Sequence, residues 1–264
     1  MKITIITVAR NAAATIGDTM ASVAAQRHDD IEHLVIDGAS TDDTAAIVAA
    51  GSTQNTRFYS EPDNGLYDAM NKGLALATGD MIGFLNADDF YSRIDAADLI
   101  AEAAVTTRCD AVVGSVAIVD AWNADHLTRA YPSRPFSSWM LRFGHMPPHP
   151  GFYATRSAFD RVGRFDTALH VGADFEWMVR FFAVHDLNAR PIPQTIVTLR
   201  EGGLSNSGFG SRKIINAEAV SSLRRHGIAT AAPVVWSKYL AKAAQFAVSA
   251  YEWPAADDVR WPKA

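Results

Sequence analysis

The 264-residue chain has a single cysteine, Cys109, so no disulfide forms within it and an oxidising compartment is not implied. It has no G-x-G-x-x-G turn after its first apolar run, where Val8-Ala9-Arg10-Asn11 stands instead. A G-x-x-x-x-G-K-[ST] loop is absent throughout. These two absences count against a dehydrogenase of Rossmann type and against a P-loop enzyme. No apolar run is long enough to span a bilayer. Met1-Lys2 precedes a β-branched run too short for a signal-peptide core and without a cleavage pattern, so the expected location is the cytoplasm. A formal net charge of −5 and the lack of a long Lys/Arg stretch argue against nucleic acid as a partner.

What is present is ordinary globular composition, 48% hydrophobic and 20% charged, in a chain long enough for a sizeable core. Apolar runs and helical patterns alternate. Strands are expected at Ile3–Val8, His33–Ile36, Arg57–Ser60 and Met81–Leu85. Helices are expected from Asn11 to Gln26, at Asp43–Ala50 with Ser40 or Thr41 as cap, and at Gly65–Ala77. That alternation predicts an α/β fold with a mostly parallel sheet flanked by helices. Beyond Asp89 the pattern loosens. A helix is expected at Asp95–Val105, strands at Ala111–Val119 and Gln194–Leu199, and an extended segment at His126–Pro132. Met146–Gly151 reads as a stiff loop, a helix begins near Gly172–Asp174, and Gly202–Gly210 is a glycine- and serine-rich loop. Residues 1–228 are expected to form one domain, its two parts (1–120 and 121–228) sharing a sheet, with residues 229–264 as a C-terminal helical extension.

The strongest single feature is the apolar run Met81-Ile-Gly-Phe-Leu85 ending in Asn86-Ala87-Asp88-Asp89. In open α/β sheets ligands bind at the C-terminal edge of the strands. Adjacent carboxylates there suit Mg²⁺ or Mn²⁺, held by one or two carboxylates and completed by substrate phosphates. The competing reading has the acidic residues capping the next helix, which serves Asp89 better than Asp88.

Four stretches in order carry a family resemblance: Thr7-Val-Ala-Arg-Asn11, Val35-Ile-Asp-Gly-Ala-Ser-Thr-Asp-Asp-Thr44, Ser60-Glu-Pro-Asp-Asn-Gly-Leu-Tyr-Asp-Ala-Met-Asn-Lys-Gly73 and Phe84-Leu-Asn-Ala-Asp-Asp89. With Asp174 they cover most of residues 1–200. The set resembles a family 2 glycosyltransferase of the GT-A fold, nearest to the bacterial cell-surface polysaccharide type that includes colanic-acid transferases. The resemblance implies a nucleotide-sugar donor, UDP-linked by family default, and a glycan or lipid-linked acceptor, with a divalent cation (Mn²⁺ or Mg²⁺) as cofactor. It places Thr7, Val8, Ala9, Asn11, Asp37, Asp63, Gly65, Asn71, Asn86, Ala87 and Asp88 around the donor, with Asp37 accepting a hydrogen bond from the base. Asn86 departs from the family's Asp-x-Asp, which leaves Asp88 as the main metal ligand, Asp89 as a second candidate and Asn86 as a hydrogen-bonding partner. Residues 1–120 then form the donor half and 121–228 the acceptor half.

The residues also carry plainer readings. Asp37-Gly38 is strong turn chemistry, so Asp37 can simply cap its own turn. Asp68 and Lys72, four apart on a helix, read as a surface ion pair. Glu176 stands four residues before Arg180, the favourable order for an ion pair, whereas Asp174 points elsewhere on the same helix. Asp174 is therefore either a helix cap or, by the resemblance, the catalytic base. His149, among three prolines, is a donor or acceptor contact or a structural histidine. Arg200, with Gly203 and Ser205, resembles the start of a lid over the diphosphate, and equally describes a mobile loop. Pro233–Trp253 has a helical pattern with a wide apolar face, fit for packing on the body, on a second subunit in a homodimer, or peripherally on the inner face of a membrane. A sugar nucleotidyltransferase, a phosphatase of the haloacid type and a non-catalytic binding subunit are the competing functions. The first lacks a glycine- and basic-rich loop after strand one, and the second lacks Asp-x-Asp at Asp37.

Overall fold

The computed structural model describes residues 1–202 and 209–239. Gly203, Ser205 and the expected helix beyond residue 239 lie outside the described residues. Four runs rich in branched and aromatic side chains build the parallel half of the sheet: β1 (Ile3–Ala9), β2 (Ile31–Asp37), β3 (Thr56–Ser60) and β4 (Met81–Phe84). Every residue of β1, β2 and β4 is buried, as expected of parallel strands covered on both faces. The spatial order is β3-β2-β1-β4, so the chain reverses its direction of travel at β1. Such a switch point opens a crevice beyond the strand ends. The register aligns Ala9 with Asp37 and Asp37 with Ser60, while Ile6 stands beside Phe84.

The sheet continues through β8 (Phe152–Thr155), which runs antiparallel to β4, then β6 (Ala111–Val119), β9 (Ala189–Arg200) and the two-residue β5 (Phe90–Tyr91). β7 (Leu127–Tyr131) pairs with the C-terminal half of β6. β9 is longer than the expected Gln194–Leu199. Pro191 and Pro193 mask its first half, and the β6–β9 register shifts around Ser115, whose hydroxyl donates to the Pro193 carbonyl (2.9 Å).

Helix α1 (Ile16–Ala24) and α2 (Thr44–Gly51) cover one face, burying Ile16, Met20 and Val48 with Val35. On the other face α3 (Leu66–Leu76) presses Tyr67, Met70 and Gly73 onto β1 and β2. α4 (Ala96–Thr107) packs on β6 and β9. The second half adds α5 (Arg156–Val162), α6 (Ala173–Val179) widening into a π-helical turn over Arg180–Val184, α7 (Phe209–Arg225) and α8 (Ala232–Trp236). Among the described residues no helix is long and apolar enough to cross a membrane.

Three expected helix starts are corrected. Asn11 does not begin α1; it takes a left-handed conformation (φ 50°) five residues earlier. Neither Ser40 nor Thr41 caps α2, because the Asp42 carboxylate takes the Thr44 amide (3.1 Å). Asp89 caps no helix, since β5 follows it directly.

Candidate active site

The ends of β1, β2 and β4 form the first part of the site. Asp37 is buried at the last position of β2, and its carboxylate is held by the Ser40 amide (3.0 Å), the Ser40 hydroxyl and the Ser60 hydroxyl (2.7 Å). It does cap its own turn. Asn11 locks that turn from β1: its side-chain oxygen accepts from the Thr41 amide (2.9 Å) and its own amide donates to Ser40 Oγ (2.7 Å). Asp63 reaches the same place from the β3–α3 loop. Its Oδ2 would stand 2.2 Å from a Cβ on Gly38, so any side chain there would have to push the Asp63 carboxylate out of its place. The other Asp63 oxygen accepts from the Gly65 amide (2.9 Å), and Gly65 opens α3 at φ 112°. The Thr7 side chain does not face this turn. It is fully buried, its hydroxyl paired with His33 Nε2 (2.9 Å). The side chains of Val8, Ala9 and Ala87 are core, and Ala9 contributes its carbonyl to the Gly38 amide (2.9 Å).

The carboxylate corner follows β4. The Leu85 amide still pairs with Ile6, after which the chain turns, the Asp89 amide donating to the Asn86 carbonyl (3.0 Å). Asn86 Nδ2 donates to the Asp89 carboxylate (3.2 Å). Asp89 is only 2% exposed; burial first, then repulsion from Asp88, pushes its carboxyl well above the usual range. Asp88 is half-buried, and burial likewise raises its pKa against the opposing charge of Arg200. Arg200 does not sit on the carboxylate. Its guanidinium donates to the Asp88 carbonyl (3.0 Å), pairs with Asp18 and lies over the Phe90 ring (4.9 Å). Arg200 is thus fixed against the corner rather than carried on a loop.

Among the described residues no cluster of three or more His, Cys, Asp or Glu side chains makes a metal cage. Two adjacent, poorly neutralised carboxylates fit the other way of holding Mg²⁺ or Mn²⁺, in which phosphates complete the shell. The donor set therefore suits such an ion only together with a phosphorylated ligand.

The third part comes from the second half of the chain. Asp174 lies in the first turn of α6, its Oδ1 accepting from the Phe175 amide (2.7 Å) and facing the Tyr67 hydroxyl (3.5 Å). Burial pushes its carboxyl upward, opposed chiefly by the His149 ring. Burial in turn lowers the His149 pKa while Asp174 raises it, so the two groups sense each other. The His149 ring is nearly parallel to Phe84 at the end of β4 (centroids 6.2 Å apart) and edge-on to Phe165 (6.3 Å). His149 thereby stands between β4 and Asp174. Asn71 does not face open space: its amide grips the Phe165 main chain at 2.9 and 3.0 Å, and Phe165 stacks on Tyr67 (6.0 Å).

Glu176 behaves as its spacing implies, bound by Arg180 (2.8–3.1 Å) and also by His226 (2.8 Å) in the core. Lys72 pairs more closely with Glu61 (2.8 Å) than with Asp68 (4.0 Å). Tyr67, Phe165 and Glu218 were not foreseen; their roles arise from contacts between segments about 50 to 100 residues apart.

A family model described as glycosyl transferase family 2 matches residues 4–187. An uncharacterised glycosyltransferase of Mycobacterium tuberculosis (strain CDC 1551 / Oshkosh) is 33% identical over 185 residues, 67% of this chain and 68% of that protein. A PGL/p-HBAD biosynthesis glycosyltransferase of Mycobacterium bovis (strain BCG / Pasteur 1173P2) is 30% identical over 204 residues, 75% of this chain and 76% of that protein. Among solved structures, S. aureus TarS 1-349 in complex with UDP-GlcNAc superposes with a TM-score of 0.68 at 16% identity, covering 84% of this chain and 66% of that one. The mannosyltransferase PcManGT of Pyrobaculum calidifontis, in complex with GDP-Man and Mn²⁺, gives 0.62 at 20% identity over 97% of this chain and 77% of that one. The chain thus spans about two thirds of the first of these relatives and of the TarS structure. The neighbours share the GT-A architecture, and none of these matches specifies a colanic-acid type. The chain is a glycosyltransferase and belongs to glycosyl transferase family 2.

Proposed function

We propose that the enzyme moves a sugar from a nucleotide-sugar donor to a hydroxyl of a growing surface glycan or lipid-linked oligosaccharide, in one inverting, metal-dependent displacement. The observation that carries this reading is the pairing of two acidic centres of different kind. Asp88 and Asp89 stand at the strand switch with little neutralising charge, and Asp174 stands apart with a raised pKa. The named ligands of the structural neighbours, UDP-GlcNAc in one and GDP-Man with Mn²⁺ in the other, support a nucleotide-sugar donor and a divalent cation.

In this reading residues 1–120 bind the donor and residues 121–228 the acceptor, in the cytoplasm or at the inner face of the plasma membrane. The turn built by Asn11, Asp37 and Asp63 receives the nucleoside, taken here as uridine. Asp88, with Asp89 beside it, would hold Mn²⁺ or Mg²⁺; such an ion supplies positive charge against which a diphosphate departs. Asp174 accepts the proton of the attacking hydroxyl, its raised pKa bringing a carboxylate closer to the strength a general base needs. Tyr67 holds the approach to Asp174, and His149 faces it from the donor side. The sugar passes through an oxocarbenium-like state, and a single displacement requires no enzymic nucleophile.

A thermal-shift screen of UDP- and GDP-sugars with Mn²⁺ identifies the donor. In Asp88→Ala, Mn²⁺-dependent binding of the corresponding nucleoside diphosphate is expected to vanish in calorimetry, and unchanged affinity would remove the metal assignment. Asp174→Asn is expected to bind donor normally while turnover falls about 10²- to 10⁴-fold. Near-normal turnover would place the base elsewhere.

A further inference from the structure

The segment that delivers Asp174 is held by a side chain from a distant helix. The amides of His170, Val171 and Gly172 all donate to the carboxylate of Glu218 on α7: His170 to Oε1 at 2.8 Å, Val171 and Gly172 to Oε2 at 3.1 and 2.8 Å. Amides ahead of a helix have no partner within it, and charge-assisted bonds of this kind are the stronger class. The Glu218 side chain is 13% exposed. Gly172 leaves room for it, since a Cβ there would stand 3.0 Å from Glu218 Oε2 and 3.2 Å from its Cβ. On the opposite side the Tyr67 hydroxyl donates to the Val171 carbonyl (2.5 Å). Two further ties join the C-terminal end of α7 and the residue after it to the same stretch, Arg225 to Asp166 (2.6 Å) and His226 to Glu176 (2.8 Å).

We propose that Glu218 is a positioning residue for the transfer reaction: its three-amide grip sets the place of Asp174 relative to the acceptor hydroxyl. The inference rests on the reading of Asp174 as base. Displacing a reacting group by about 1 Å costs on the order of 10²-fold in rate. Glu218 is bonded to residues two to four positions before Asp174, whereas the donor corner is built by β1, β2 and β4. Losing the grip therefore lowers turnover without touching donor affinity.

The test compares Glu218→Ala, Glu218→Gln and Gly172→Ala with the parent, using the nucleotide sugar selected by the thermal-shift screen. Donor affinity and stoichiometry are read by calorimetry with the matching nucleoside diphosphate and Mn²⁺. Turnover is read as nucleoside diphosphate release, and the 170–172 amides by hydrogen exchange. Glu218→Ala is expected to keep affinity and stoichiometry, lose protection at those amides and lose about 10- to 100-fold in kcat. Glu218→Gln, which keeps one accepting oxygen, recovers part of that loss. Added to Asp174→Asn, Glu218→Ala costs less than about twofold more, as groups acting as one unit do. A kcat within about twofold of the parent overturns the inference, as does a loss that multiplies in full with that of Asp174→Asn. So does an equal loss of donor affinity. If Glu218→Ala does not fold, Glu218→Gln and Gly172→Ala carry the same comparisons. If Asp174→Asn itself keeps turnover, the base reading fails and takes this one with it. If Asp174→Asn is inactive and the Glu218 variants are normal, only the positioning role is lost.

Discussion

At the scale of single residues, neighbouring carboxylates have unlike surroundings. Asp88 is half-buried at the corner, while Asp89 is sealed behind it with the Asn86 amide as its side-chain partner. A carboxyl whose pKa is raised on folding contributes stability below its unfolded pKa, and that contribution is lost as pH rises through the folded value. Asp89→Asn removes the ionising group and keeps the shape. Its thermal midpoint is expected to equal the parent's in acid and to exceed it increasingly at higher pH, by a few degrees for about 1–3 kcal/mol. Calorimetric melts across that range check it; a variant less stable than the parent at every pH would show that Asp89 is well satisfied in the fold. Mn²⁺-dependent donor affinity should fall in the same variant. The gain in stability and the loss of binding then share one cause, an anionic group held where the fold alone does not favour it.

At the scale of elements, α3 shows two rules in conflict. Gly73 lies inside the helix, where alanine is ordinarily better by about 1 kcal/mol. Yet a Cβ at Gly73 would stand 2.4 Å from Ile6 Cγ2 and 3.2 Å from Ile36 Cγ1. Overpacking of a tight contact costs about 1–3 kcal/mol, so it outweighs helix propensity. Gly73→Ala is expected to lower the thermal midpoint, and an increase would mean that α3 slides on the sheet at little cost. The helical recurrence of Leu66, Met70, Gly73 and Leu74 marks part of the core side of α3, although Tyr67, Ala69 and Asn71 outside that spacing are buried as well. β1 and β4 were legible from runs that are mostly apolar, whereas β2 carries Glu32 and His33 within it. β5 has two residues and no period to detect, and α7 mixes polar and apolar residues around its circumference, so neither has a strong pattern. Among the candidate site residues, Asp88 was visible as a charge that ends an apolar run, whereas Asp37 and Asp174 were singled out by the family resemblance, each also reading as a cap. The roles of Tyr67, Phe165 and Glu218 exist only once α3, the segment before α6 and α7 are brought together. The same pairing accounts for the bonds of Asn71 to the Phe165 main chain.

At the scale of the whole molecule, the sheet face under α1 contains a histidine that folding strips of its proton. His33 is 2% exposed, and burial lowers its pKa from 6.5 to about 4. A lowered folded pKa gives stability that is complete above the unfolded value and lost as pH falls through the folded one. The unfolding free energy should therefore drop by roughly 3 kcal/mol between pH about 6.5 and about 4. Urea titrations over that window test it: His33→Gln should flatten the slope, and an unaltered slope would assign the loss to other groups. The two halves of the sheet meet where β4 runs against β8, over the pairs Met81–Thr155, Ile82–Ala154 and Gly83–Tyr153. A Cβ on Gly83 would fall 2.1 Å from the Tyr153 ring. The bare Cα at Gly83 thus works as a hinge pin without clearance: the corner of Asn86, Asp88 and Asp89 begins three residues along the chain, just past the end of β4, and His149 lies just before β8. Any side chain at that point would wedge the Asp88–Asp89 corner away from His149 and Asp174, so sequence drift elsewhere in the two halves is free only as long as this contact stays closed.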